Sequence, residues 1–287
     1  MLAMVACGAG EAPSVPGTIW VANLKGGNVL QYDLESGAFL GAFLEGADNP
    51  HRDQWDFEPS AVAVRDDTLY VANFASGDVL AFDREHGELL SVVHTNLPDG
   101  DVRIEEPCAI GLLGREVWVL GNDSRNAVAL TGRHKREIGA GDPIRSAHSF
   151  ALHGDEIVIG TSRTSSGGAV VEVRDAWTGE RHSLVEDPDL EQATEVLLHG
   201  EELLIVDSWG DRVLAYDLQT GTRLYEVVGA GVLEEPISAA FDPLGRLWVL
   251  DAVGVHAIDM ETGALTASIP GDGRMDQARN LLITTDP

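Results

Sequence analysis

Leu69-Tyr70-Val71-Ala72-Asn73, a short loop, Val79-Leu80-Ala81-Phe82-Asp83 and a turn ending at Gly87 decide how this chain folds. The pattern returns as Leu203-Leu204-Ile205-Val206-Asp207, Val213-Leu214-Ala215-Tyr216-Asp217 and Gly221. Each copy is a pair of apolar strand segments, then an Asp-x-x-[Ser/Thr]-Gly turn or a variant of it, then a third strand. Working outward from these two, the anchor residues are Trp20, Tyr70, Trp118, Val158, Leu204 and Trp248, spaced 50, 48, 40, 46 and 44 residues apart. A strand-built repeat of this length marks a β-propeller in which each repeat is one blade. The expected fold is all-β, with six four-stranded antiparallel blades forming one domain over residues 18–287.

The first strand of a blade precedes its anchor, as in Pro59-Ser60-Ala61-Val62, Pro107-Cys108-Ala109-Ile110 and Pro236-Ile237-Ser238-Ala239. Blade 1 lacks one, because Pro13 to Gly17 read as a Pro/Gly linker. The missing strand appears at the other end as Asn280-Leu281-Leu282-Ile283-Thr284. Pairing it beside Trp20-Val21-Ala22 would close the ring and remove exposed sheet edges.

The strand segments are rich in Val, Leu, Trp, Tyr and Phe, which suit a half-buried pleated surface. The turn aspartates Asp33, Asp175, Asp217 and Asp259, with Asp83 as a variant, precede Gly37, Gly179, Gly221, Gly263 and Gly87. Asp stabilises such turns through local backbone bonds and Gly supplies positive φ, so these carboxylates read as turn chemistry and not as catalysts.

Among the 287 residues 47 are acidic and 19 basic, a formal net charge of −28. Such a surface excludes nucleic acid as a partner and disfavours anionic membranes. The one basic run, Arg133-His134-Lys135-Arg136, is expected on a solvated outer strand. Cys108, in an apolar first strand, reads as a small buried hydrophobe. Cys7 closes the run Met1-Leu2-Ala3-Met4-Val5-Ala6-Cys7-Gly8. That run resembles the tail of a bacterial lipoprotein signal without its charged leader, with Cys7 as the acylated residue. Residues 1–17 then read as a partial signal and tether, and the protein as exported to the outer surface or periplasm. The alternative is a cytoplasmic N-terminus with a free thiol. A lipid anchor is the only membrane contact expected, since no stretch is long enough to span a bilayer.

Blade topology assigns loops to faces. First strands run from a top face to a bottom face, and second strands return. Loops between blades, and between second and third strands, gather on top; the Asp turns gather below. A lipid on Cys7 would tether the bottom through up to roughly 35 Å of extended chain. The long segments Glu45 to Phe57, with Trp55, and Thr95 to Glu105 fall on top, where binding residues are expected. The top also collects Glu58, Glu106 and Glu235 ahead of their prolines, Asn23, Asn73, Asp207 and Asp251 at second-strand ends, and Ser60, His148, Thr194 and Asn280 around the central opening, with Arg145 and Arg279 nearby. Carboxylates and amides on a concave face suit a hard divalent cation, Ca²⁺ or Mg²⁺. The plainer reading of a strand-end Asn or Asp is that it ties down the following loop.

Pro236 to Asp251, with its proline, small residues, Gly245 turn and apolar-Val-x-Asp ending, resembles an NHL-type repeat. Ile205-Val206-Asp207-Ser208-Trp209 with Val213 to Gly221 is similar to the gluconolactonase and senescence-marker-protein family. That resemblance implies a six-bladed propeller holding a divalent metal on its axis with a Glu, an Asn and an Asp. Asp207 matches the Asp, while the segment that should carry the Asn reads Glu191-Gln192-Ala193-Thr194-Glu195 and has none. A further resemblance, to virginiamycin-B-lyase-like propellers, implies a metal and a catalytic His on the channel face, with His148 as that His. The expected function is a non-catalytic, surface-tethered, monomeric propeller binding a protein, glycan or small molecule through its top. A metal-dependent hydrolase or lyase is the alternative.

Overall fold

Alternating burial along Thr68–Asn73 and continuous burial along its neighbour Val79–Asp83 place both strands between other sheets. They are the second and third strands of a four-stranded antiparallel blade that also contains Pro59–Arg65 and Leu89–His94. Six such sheets, each of four strands, are formed by the described residues. The computed structural model describes residues 16–96, 102–131, 136–162 and 170–285. Cys7 and Arg133 to Lys135 lie outside the described residues, while Arg136 opens the outermost strand of blade 3, Arg136–Ile138.

Ring closure occurs as the sequence predicts. Ala278–Thr285 forms the innermost strand of blade 1 beside Gly17–Asn23, pairing Leu282 with Trp20, Leu281 with Val21 and Asn280 with Ala22. The Trp20 indole N–H adds a bond of 2.9 Å to the Thr284 hydroxyl across this seam. Asn280 and Ser238 fasten the closing strand sideways. Asn280 Oδ1 accepts the Val62 amide of blade 2 at 3.0 Å, and Ser238 of blade 6 accepts the Leu281 amide at 3.1 Å.

The core is divided among the blade interfaces. Trp20, Val29 and Leu44 of blade 1 pack with Val62, Leu69, Val71 and Phe82 of blade 2, and Ile19, Val21 and Tyr32 pack with Trp248 and Leu250 of blade 6. Similar clusters fill the other four interfaces. Fully burying one such side chain contributes about 1.5–3 kcal/mol, so each interface holds its two blades firmly.

The Asp turns behave as their sequence implies. The Asp33, Asp175, Asp217 and Asp259 carboxylates each accept the backbone N–H three residues on and the hydroxyl of the Ser or Thr there. His86 takes that place opposite Asp83. Gly37 and Gly221, at φ of 68° and 65°, supply the left-handed residue that ends such a turn.

Candidate functional site

At the top of the innermost strands the ladder skips a residue. In blade 2 the pairing passes from Pro59–Asn73 to Ala61–Ala72, leaving Ser60 outside the register. The same step leaves out Cys108, His148, Thr194 and Arg279 in blades 3, 4, 5 and 1. A β-bulge of this kind re-aims the extra side chain. Ile237 precedes the first strand of blade 6, Ser238–Phe241. All six residues line one cavity of about 270 Å³ at the channel mouth, together with Leu24, Phe74, Glu106 and Asn122.

Four of the six fasten each blade to the next. Ser60 donates to the Pro107 carbonyl at 2.6 Å, Cys108 to the Ala147 carbonyl at 3.5 Å and Thr194 to the Pro236 carbonyl at 3.2 Å. His148 Nε2 is hydrogen-bonded to the Ser162 hydroxyl and lies 3.2 Å from the Gln192 side-chain amide nitrogen of blade 5. Burial, with the Arg279 guanidinium adding to it, pushes the His148 imidazole down to about 4. It is therefore neutral at neutral pH. Cys108 is not simply a core hydrophobe: it faces the cavity wall, and burial pushes its thiol up to about 12, which keeps it protonated and unreactive.

Two charges in this cavity stand apart. Arg279 is exposed and makes no hydrogen bond or ion pair among the described residues. Glu106 lies in the same cavity, and no ion pair joins the two. Burial first and the Asp123 carboxylate second hold the Glu106 carboxyl above its ordinary range, while an Asn122 hydrogen bond pulls the other way. Its backbone is in the left-handed region, φ 50°, as are Ser146, Glu235 and Gln277 ahead of the first strands of blades 4, 6 and 1. Left-handed non-glycine residues are strained and concentrate at functional sites.

The strand-end residues do something else. Asn73 Oδ1 accepts the Glu58 amide, Asp207 Oδ1 the Glu191 and Gln192 amides, Asp251 Oδ2 the Glu234 amide and Asn23 Oδ1 the Asp276 amide. Each thus pins the segment leading into its own blade. The second Asp207 oxygen binds Arg212, and that of Asp251 holds the Val253 and Gly254 amides and His256. Glu58 pairs with Lys25 at 2.6 Å. The Glu235 backbone is tied to Asp211, and Trp55 is exposed on the loop into blade 2. Asn280 sits one position below Arg279, in the layer with Ser238 and Glu195. Among the described residues no three His, Cys, Asp or Glu side chains are grouped to hold a metal ion. The Glu–Asn–Asp set implied by the gluconolactonase resemblance does not fit these residues, because Asp207 has both oxygens occupied by protein donors and no Asn accompanies it.

Sequence reasoning placed Ser60, His148, Thr194 and Asn280 at the opening; the first three line the mouth cavity and Asn280 lies in the layer beneath it. It set Arg279 beside the opening and missed Cys108, Phe74, Asn122 and Ser162. Aligning the first strands on Pro59, Pro107 and Ala278 puts Arg279 level with Ser60 and Cys108, a signal present in the sequence.

The arrangement of the fold is shared widely. A chain of the nidogen/laminin complex aligns with a TM-score of 0.74 at 13% identity, covering 93% of this chain and 98% of that one. A protein of unknown function from Bacteroides caccae aligns at 0.68 and 12% identity, covering 94% and 100%. Kuenenia stuttgartiensis hydrazine synthase aligns at 0.61 and 18% identity, covering 90% and 81%. At these identities the likeness is one of fold, a six-bladed β-propeller. No protein-family model matches the chain, and no curated protein matches it significantly.

Proposed function

We propose that this propeller is a non-catalytic binding module whose channel mouth takes a small zwitterion of the amino-acid type. The observation that carries the reading is the pair of unmatched opposite charges, Arg279 and Glu106, facing one cavity without pairing to each other. A ligand carboxylate would meet the guanidinium and a ligand ammonium would meet Glu106, while Ser60, Thr194 and His148 supply neutral polar contacts. Leu24, Phe74 and Ile237 give an apolar wall for a side chain. About 270 Å³ is near the lower end of ligand pockets, which limits the ligand to a small molecule. Export and tethering through Cys7 complete the reading, on the strength of the Met1 to Gly8 sequence alone.

Thermal-shift measurements with L-alanine, L-leucine and L-phenylalanine, with acetate and methylamine as half-ligands, test it. A ligand that binds only the native state stabilises it by RT ln(1 + [L]/Kd). At least one amino acid should raise the melting temperature more than either half-ligand, and Arg279→Ala and Glu106→Gln should each abolish the rise. Equal, negligible shifts from all five compounds would remove the zwitterion reading.

A further inference from the structure

The repeat supplies its own control for surface chemistry. At the third position of the Asp turns stand Glu35, Glu85, Gln219 and Glu261, all exposed, and in blade 4 stands Trp177. The turn does not need the indole, since the Asp175 bonds to the Trp177 and Thr178 amides repeat those of the other turns. The ring is 60% exposed yet held in place. Its Nε1–H donates to Asp155 Oδ1 at 2.9 Å, and the Arg136 guanidinium lies 3.9 Å from its centroid. Arg136 is in turn fixed by Glu116 at 2.6 Å.

Trp177 lines an open cleft of about 750 Å³ on the bottom face between blades 3 and 4, with Leu113, Arg115, Glu116 and Asp155. The neighbouring cleft between blades 4 and 5, about 530 Å³, is built by equivalent turns but carries Gln219 in place of the aromatic. The cleft is a product of the fold; the pinned indole is an addition to it.

We propose that the Trp177 cleft is a carbohydrate site, in which the indole carries the apolar face of a neutral pyranose and the surrounding side chains take its hydroxyls. The chemistry of the rim selects this class. A wholly apolar ligand would strip water from Asp155, Glu116 and Arg115 without replacing it, which is costly. A cation would meet Arg115 and Arg136, and an anion would meet Asp155 and Glu116. A neutral ring with one apolar face and a hydroxylated edge satisfies both the indole and the mixed charges, which offer donors and acceptors together. Fixing the indole in advance lowers the ordering cost of binding. The site lies on the face opposite the channel mouth and does not depend on the function proposed there.

The test follows the tryptophan indole N–H resonances by NMR while maltose, cellobiose, lactose and chitobiose are each added to millimolar concentration, with Trp177 assigned from the signal missing in Trp177→Ala. The expected result is a saturable shift of the Trp177 signal with at least one disaccharide. Binding should vanish in Trp177→Ala, weaken in Asp155→Asn and persist in Arg279→Ala. Because Trp177 is exposed, Trp177→Ala should remain folded, and its spectrum reports this directly. No shift with any of the four, together with no signal on an array of neutral glycans, overturns the proposal, as does binding that survives Trp177→Ala.

Discussion

Glu195→Gln should stabilise the ring in mildly alkaline solution and leave it almost unchanged in acid. Glu195 lies one position below the bulge of blade 5, where its carboxylate accepts the Ser238 hydroxyl at 2.9 Å. Burial pushes its carboxyl up from the ordinary 4.5 to about 7. Below pH 4.5 both folded and open chains hold the proton and stability is unaffected. As pH rises from there the open chain ionises first, so stability falls until the folded carboxyl ionises near 7, and then levels off. At 1.36 kcal/mol per pKa unit the complete loss is about 3 kcal/mol. Glu195 keeps some exposure to the channel, where water relieves part of the cost, so about 1–3 kcal/mol is expected. Glutamine mimics the protonated acid and retains an acceptor for Ser238. With unfolding entropy near 2.1 cal/mol/K per residue, the variant should melt about 2–5 °C higher at about pH 8 and within about 1 °C of the parent at about pH 4. Thermal unfolding at both pH values is the assay. An equal shift at both, or destabilisation by the same amount at both, would refute the assignment of a proton to this carboxyl.

His148 should impose the opposite slope. Its folded value of about 4 lies below the ordinary 6.5, so stability is complete above 6.5 and is lost as pH falls towards 4. The full loss is about 3 kcal/mol, and urea unfolding of His148→Gln should flatten that limb of the pH profile. Asn280→Ala removes the acceptor of the buried Val62 amide and should cost about 1–3 kcal/mol in urea unfolding. A loss below experimental error would mean that the ring does not depend on this lateral tie.

The ring itself was legible in the sequence because the repeat expresses it six times. Apolar strand pairs and Asp turns restate the blade along the chain, and Ala278–Thr285 supplies the first strand that blade 1 lacks. The site was legible only in part, because strand alternation assumes a regular ladder. The bulge adds a residue at the top of the closing strand, so both Arg279 and its successor Asn280 line the channel, as do Thr194 and Glu195 in blade 5. That displacement separates Arg279, in the cavity, from Asn280, in the layer beneath. The strand-end residues illustrate a second limit. Asn23, Asn73, Asp207 and Asp251 have the chemistry of ligands, but their oxygens are claimed by backbone amides that only the folded lead-in segments bring near. Trp177 was hidden in another way: its turn signature matches the other copies, and its significance emerges only from the cleft it lines.

Calorimetric titration of the metal-stripped protein with L-leucine and, separately, with Ca²⁺ tests the central claim most directly, using Arg279→Ala and Asp207→Ala alongside the parent. Saturable heat with L-leucine, lost in Arg279→Ala, is expected, with no stoichiometric heat from Ca²⁺. Stoichiometric Ca²⁺ binding abolished by Asp207→Ala, with no response to L-leucine, would contradict that claim and return the channel to a metal-dependent chemistry.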